Sequence, residues 1–563
     1  GYEQTRNKNA FALLYFNPRL QQLYRDRAKW ILDTKSPHTG VTLAQDPAVG
    51  IVEIVNEDSL FFWTFTKQNV APPQWRLLEA LYGKWLTKRH GSVGKAMAAW
   101  GKPEVGDDAG AGVAAVYEAW HMTREGSRQG GDAKRRRVGD QVRFLAELQR
   151  DFYSSTARYF KDDLGVGGLV SASNWHVSDP SMLDALERWT YTATDVIDRH
   201  GYFSGRHEGE GSGYSVRVGH VYEDLAGVLV PEKLPITTVQ VEGFPQIISE
   251  MGWTNPNRFK ADSMFVTAAY SALQGTDAPM VFMVMNNYVT QREINKFAAG
   301  YPTIAGCFPA AALQYRRGDV AEASPAVYQV LKPADLFAMK GSGAIAEAAL
   351  DELRKKDLPP GAAVAGPVDQ IDPLACYVGR VVRNFGGETE KSFQCDFSKY
   401  IDRGKKTVTS LTGELQWDYG NGVVRMNTPR SQGVAGFLGK AGAIELGDVT
   451  IESGNEYAAV WVTALDDQPL ATSKKVLIQA VTEDRPYGFK SEGGKVTSVG
   501  QWPYQVREIG VAVTLRGGGV SRVTALDENG YGRSIPVVVE AAPGGGAVIR
   551  LTRDSLYHVA GRQ

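Results

Sequence analysis

The chain of 563 residues is 43% hydrophobic and 22% charged, with a formal net charge of −1. That balance is typical of a soluble globular protein and leaves no global field for nucleic acid or an anionic membrane, while the length suggests two to four domains. No apolar run is long enough to span a membrane. Cys307, Cys376 and Cys395 are odd in number and far apart, which argues against a zinc site of the CxxC type. A Cys376–Cys395 pairing in an oxidising compartment stays open.

Up to about residue 75 the pattern reads helix, strand, then a polar aromatic loop. From Pro18 to Asp33, Leu20, Leu23, Tyr24, Ala28 and Ile31 recur at helical intervals. The run AVGIVEIVNEDS is β-branched and ends in polar residues, as a buried parallel strand does at its C-terminal edge. Residues 75–160 read as a charged helical insertion broken by Gly-rich stretches. Its Lys134–Arg137 run reads as a solvated loop before the next helix, not as a nucleic-acid patch.

Strand-like runs recur near 166–177, 193–203, 244–253 and 278–287, mostly separated by amphipathic helical segments, and this alternation predicts a parallel α/β array. GEGSG at 209–213 and GSGAIAE at 341–347 lack the Lys-Ser/Thr of a phosphate loop and read as a flexible loop and a helix start. Beyond about 365 the texture becomes short β runs with Gly, Asn and Asp turns, including the hairpin-type YGNGVV and ENGYG. A catalytic unit over 1–340, a linker over 341–364, a β-sandwich over 365–495 and a small terminal β module over 496–563 are the expected division.

Two glutamates stand where apolar strands meet polar loops. Glu57 follows IVEIV and Asn56; Glu250 follows PQIIS and precedes Met251, Gly252 and Trp253. One such glutamate alone is usually just solvated. Two of them can flank a glycosidic bond, one protonating the leaving oxygen and the other attacking the anomeric carbon. The 12 Trp residues suit sugar-stacking clefts, although large cores absorb such residues as well.

DPAVGIVEIVNEDS resembles the fourth-strand motif of clan A retaining glycoside hydrolases, whose acid/base Glu follows an Asn. ITTVQVEGFPQIISEMGW is similar to their seventh-strand motif, and DVIDRHGYF to the sixth. NPRLQQLYRDRAKWILD and FPAAALQYRRGDV resemble uncharacterised cellulase-like members of the clan. The resemblance covers roughly residues 1–330 and implies an α/β fold, a (β/α)8 TIM barrel followed by C-terminal β-sandwich domains. It implies Glu57 as acid/base, Glu250 as nucleophile, Asn56 on the sugar 2-hydroxyl and Tyr202 orienting Glu250. It also implies a carboxylate separation of about 5–5.5 Å.

His200, two residues before Tyr202 on an extended strand, points into the same cleft; a satisfied loop histidine is the other reading. Asn174, Trp175, His176 and Trp253 are subsite candidates, with packing as their alternative. The mechanism implied needs no metal and no cofactor, and the partner implied is a carbohydrate, with secretion or a periplasmic location expected.

Two departures qualify the resemblance. Asn286 and Asn287 stand where many clan members carry a Trp platform at the eighth strand. Glu57 also comes too early for the fourth strand of a complete barrel at about 30 residues per unit. A chain lacking the first three strands is therefore expected, and it opens on Gly1 rather than Met. The interval from Glu57 to Glu250 is about twice what three units need; the insertion absorbs the excess and is expected to overhang the cleft. A transglycosylase, or a non-catalytic carbohydrate-binding protein with a decayed barrel, are the alternatives. Trp417, Tyr419 and Trp461 are read as core residues of the β region.

Overall fold

A computed structural model describes residues 10–101, 103–284, 292–345, 371–386 and 391–562. The fold mixes helix and sheet around an arc of parallel strands. β1 (Ile51–Glu53) pairs in parallel with β2 (Leu169–Ser171). Parallel bridges Ser171–Val196 and Ile197–Gln246 carry the arc on to β3 (His200–Phe203) and β4 (Ile247–Trp253), which pair directly. β4 then pairs with β5 (Ala278–Val281). The five strand-like runs are thus parallel neighbours in chain order. Among the described residues the arc does not close into a barrel, and the outer edges of β1 and β5 pair with no further strand.

α1 (Pro18–Leu32) begins where Asn17 accepts the Leu20 N–H at 2.9 Å, with Pro18 at its first position. The Tyr24 hydroxyl donates to the Ile54 carbonyl at 2.8 Å and docks the helix beside β1. Its apolar stripe is only partly covered, since Leu23 is 43% and Ile31 38% exposed.

The crossover from β1 to β2 holds α2 (Pro72–His90), α3 (Val93–Trp100) and α4 (Gly131–Arg158). Lys134 to Arg137 lie in the first turns of α4, not in a solvated loop. Arg137 is buried, with a forked pair of bonds to Asp107 at 2.6 and 2.7 Å and its guanidinium over the Trp100 ring. A planar cation neutralised and covered in this way can leave water, which a charge run does not reveal.

α4 packs against α5 (Ala185–Tyr191). There the Gln149 amide donates to Glu187 and Thr190 and accepts from the Leu60 N–H. These bonds tie the insertion to α5 and to Leu60, in the segment that follows Glu57.

α6 (Ser263–Gln274) crosses from β4 to β5 and packs on α7 (Phe308–Arg316). It also packs against a nine-stranded antiparallel sheet in the C-terminal region. Phe265 meets Trp461 at 5.1 Å and Tyr270 meets Trp417 at 5.2 Å, so both tryptophans are core residues. A five-stranded sheet covers the opposite face, with Val449, Ile451, Val513 and Ile549 buried between the two. Hairpin strands Leu415–Asp418 and Val423–Asn427 meet at Asp418–Val423, the YGNGVV turn between them.

Residues 496–563 do not stand apart as a module. Val520–Leu526 and Tyr557–Arg562 belong to the nine-stranded sheet, and Val511–Leu515, Val538–Ala541 and Ala547–Arg550 to the five-stranded one. Arg380–Phe385 lies outside both sheets, paired in parallel with Pro325–Leu331 and Gln240–Val241. The expected linker from 346 onward falls outside the described residues. A hairpin of Asp484–Glu492 and Lys495–Val506 reaches back to Val221–Tyr222, just beyond β3. All three cysteines are free, so the Cys376–Cys395 pairing is absent; burial pushes the Cys376 thiol up.

Candidate active site

Side-chain alternation on β3 sorts its residues cleanly. Asp198, His200 and Tyr202 share one face. On the other, Gly201 lies against Pro235 and Phe203 joins the core around α6. β4 breaks this alternation. Its pairing with β5 shifts register between Ile248 and Met251, and Ile248, Met251 and Trp253 all enter the core around α6. The extra residue leaves both Ser249 and Glu250 directed toward the face of His200 and Tyr202, as a bulge re-aims side chains.

Glu57 sits just beyond β1 with φ 50°, a left-handed conformation uncommon for a residue with a Cβ. Asn174 secures it. The Asn174 side-chain oxygen accepts the Glu57 N–H at 3.0 Å, while its amide donates to Glu53 Oε1 at 2.7 Å and Asn56 Oδ1 at 3.2 Å.

The two glutamates meet at His200. Its Nδ1 is 3.1 Å from Glu57 Oε1 and 3.6 Å from Glu250 Oε2. One oxygen of each glutamate and a His200 ring nitrogen all lie within 4.8 Å of one another. The side chains of Glu57 and Glu250 are 17% and 22% exposed, against 2% for His200, so the carboxylates reach solvent while the imidazole is sealed behind them. Tyr202 donates its hydroxyl to Glu250 Oε2 at 2.6 Å. Burial raises the Glu250 carboxyl above its usual range, against the opposing pull of His200 and the Tyr202 hydrogen bond, with Glu57 adding to the rise.

Asn56, Glu57, Asn174, His200, Tyr202 and Glu250 therefore converge, whereas Trp175 and Trp253 do not face the site. Trp175 follows Asn174 directly in the chain. It is buried edge-on to Phe62 at 5.3 Å. Trp253 packs against Phe203 at 5.6 Å on the α6 side. His176 is buried, with its Nδ1 3.1 Å from Arg199 Nη2. Asn286 and Asn287 lie outside the described residues.

Sequence reasoning missed four residues here. Phe282, half-buried just after β5, stands edge-on to Tyr202 at 6.3 Å and to Phe297 at 5.8 Å. Glu53, Asp198 and Ser249 sit behind the two glutamates. A polar residue inside an apolar strand run was the available signal for each.

Glu53, Asp198 and His200, like Glu57, His200 and Glu250, have donor atoms at a spacing a cation would accept. The donors are committed otherwise. His200 Nε2 is 2.9 Å from Ser249 Oγ, its Nδ1 faces the glutamates, and Glu53 Oε1 accepts from Asn174. These hydrogen bonds use the same atoms that would face a cation.

No family model matches the chain, and no curated protein matches it. Among solved structures it is similar to a rhamnosidase from Novosphingobium sp. PP1Y, at 11% identity and a TM-score of 0.24, over 86% of this chain and 43% of that one. The chain thus spans less than half the length of that protein, and so low a TM-score defines no common fold.

Proposed function

We propose that the chain is a retaining glycoside hydrolase acting on β-glycosidic bonds of an oligo- or polysaccharide, and that β1 to β5 correspond to the fourth to eighth strands of a (β/α)8 barrel. The observation that carries this reading is the pair Glu57 and Glu250. Both reach solvent, and oxygens of the two lie within 4.8 Å of one another. Double displacement uses such a close pair, whereas an inverting enzyme needs about 6.5–9.5 Å to admit a water.

Glu57 protonates the departing oxygen while Glu250 attacks the anomeric carbon to form a glycosyl ester. Glu57, now ionised, takes a proton from the water that hydrolyses this ester. Tyr202 holds the attacking oxygen of Glu250 in line, and Asn56 hydrogen-bonds the sugar 2-hydroxyl in this reading, a contact that strengthens in the transition state. A sugar hydroxyl replacing water at the second step would give transglycosylation from the same intermediate.

The test is Glu57→Ala and Glu250→Ala assayed on activated aryl β-glycosides. Glu250→Ala lowers kcat/KM, and Glu57→Ala lowers kcat through slow hydrolysis of the glycosyl ester, each by well over about tenfold if the pair reacts as described. Added azide then gives an α-glycosyl azide from Glu250→Ala and a β-glycosyl azide from Glu57→Ala. Losses below about tenfold in both variants defeat the reading.

A further inference from the structure

Behind the reacting pair lies a second pair of carboxyl groups that the mechanism does not use. Asp198, on the segment entering β3, is fully buried, and Glu53 faces it from β1 within hydrogen-bond reach. The remaining donors are accounted for. Asn174 serves Glu53 Oε1 at 2.7 Å. The backbone N–H groups of Arg199 and Ser249 serve Asp198 Oδ1 at 2.6 and 2.9 Å. Asp198 Oδ2 has no donor among the described residues. Two facing carboxylates cannot both be ionised in so enclosed a place; one must supply the missing hydrogen.

We propose that half-buried Glu53 carries a proton shared with buried Asp198, and that this acid–carboxylate pair is a positioning device that sets the polarity of the chain Asp198–Ser249–His200. With Asp198 ionised, the Ser249 hydroxyl turns its hydrogen toward that charge and so accepts from His200 Nε2 at 2.9 Å. His200 then carries its hydrogen on Nε2 and presents Nδ1 as an acceptor facing Glu57 Oε1 at 3.1 Å. The groups facing the pair are consistent with this. Burial, the Asp198 charge and the Asp198 hydrogen bond, with Glu250 adding a smaller share, push Glu53 up to about 9; Asn174 opposes them weakly. Burial also raises Asp198, against its hydrogen bonds from Ser249. Tyr24 approaches from α1, and Glu57 lies beyond His200.

The role in catalysis rests on the proposed hydrolase, whereas the proton itself is testable without activity. Glu53→Gln keeps both hydrogen bonds and needs no proton. Holding a proton up to about pH 9 costs the wild-type fold stability as pH climbs from the ordinary carboxyl value of 4.5. The melting temperature of Glu53→Gln relative to wild type is therefore expected to climb steadily from pH 5 to pH 9. A flat or falling difference overturns the proposal, as does a wild-type melting temperature lowered by EDTA, which would make the cluster a cation site. In kinetics, Glu53→Ala should lower kcat at least about tenfold with KM within about threefold, and Glu53→Gln should recover most of the loss. Equal losses in both variants overturn the positioning role. Wild type inactive on every glycoside, with the pH-dependent melting as expected, would sink the hydrolase reading and leave the proton pair standing.

Discussion

Tyr202 and Glu250 are joined by a 2.6 Å hydrogen bond between side chains on adjacent parallel strands, Tyr202 donating from β3 to Oε2 of the residue on β4. The same strands bring His200 opposite Glu250 in register. Glu250 is thus held by groups from one neighbouring strand, and its reactivity depends on that strand's placement.

Tyr202→Phe removes a hydrogen bond to a charged group, a loss of about 1.5–3 kcal/mol, and should lower kcat by about ten- to a hundredfold. The bond favours ionised Glu250, so its removal adds to the rise that burial already causes. The acidic limb of the kcat/KM–pH profile, where Glu250 must ionise to attack, should therefore move to higher pH in the variant. A limb that stays in place would argue against Glu250 as the group titrating there.

Phe282 and Trp253 should separate binding from folding. Phe282→Ala is expected to raise KM for an aryl glycoside by about tenfold, or about 1.4 kcal/mol, with little change in stability. Trp253→Ala empties a core site beside Phe203 and should cost about 3–5 kcal/mol in denaturant unfolding, with KM of the folded fraction unchanged. Exchanged behaviour would mean that the faces of β4 and β5 have been assigned the wrong way round.

Asp184 anchors three guanidinium groups: Arg383, Arg199 at 2.7 Å and Arg188 at 3.5 Å. Burial alone would raise its carboxyl, but these cations outweigh burial and hold it well below the usual range. The stabilisation is present above the ordinary carboxyl value and is lost only as pH falls through the depressed one, so it should persist in mild acid. Asp184→Asn leaves buried cations unmatched and is expected to cost about 3–5 kcal/mol by urea denaturation at neutral pH.

Lys260 lies buried against Asp484 at 3.5 Å, where the arc meets the hairpin from the C-terminal sheets. Burial lowers its ammonium to about 8, against the pull of Asp484. Between about 8 and the ordinary 10.5 the unfolded chain binds the proton more tightly, so stability from this group rises with pH across that window. Lys260→Met should lack the rise, read as the change in denaturation midpoint between pH 8 and pH 10.5.

Much of this site was legible because strand ends announce themselves. IVEIVNED and PQIISEMGW both pass from branched apolar residues to a glutamate, and RHGYF spaces His200 and Tyr202 at the strand period. What stayed hidden depended on three-dimensional partners. Trp175 and Trp253 were legible as aromatic but not as facing away, because the turn of side chains at Asn174 and the bulge in β4 are set by neighbouring strands. Arg137 read as solvated because its partner Asp107 is thirty residues away. The weaving of residues 496–563 into both C-terminal sheets was likewise beyond local pattern, since each short strand looks the same whichever sheet receives it.

The bulge in β4 couples two functions through one peptide bond. Ser249 belongs to the buried hydrogen-bond chain and Glu250 to the solvent-facing pair, and ordinary alternation would have sent them to opposite sides. Because they are consecutive, neither can be re-aimed without turning the other. Deleting a single residue here would not merely shorten a strand. It would restore regular pairing and return one of the two to the hydrophobic side, so the chain length of this segment is itself part of the chemistry.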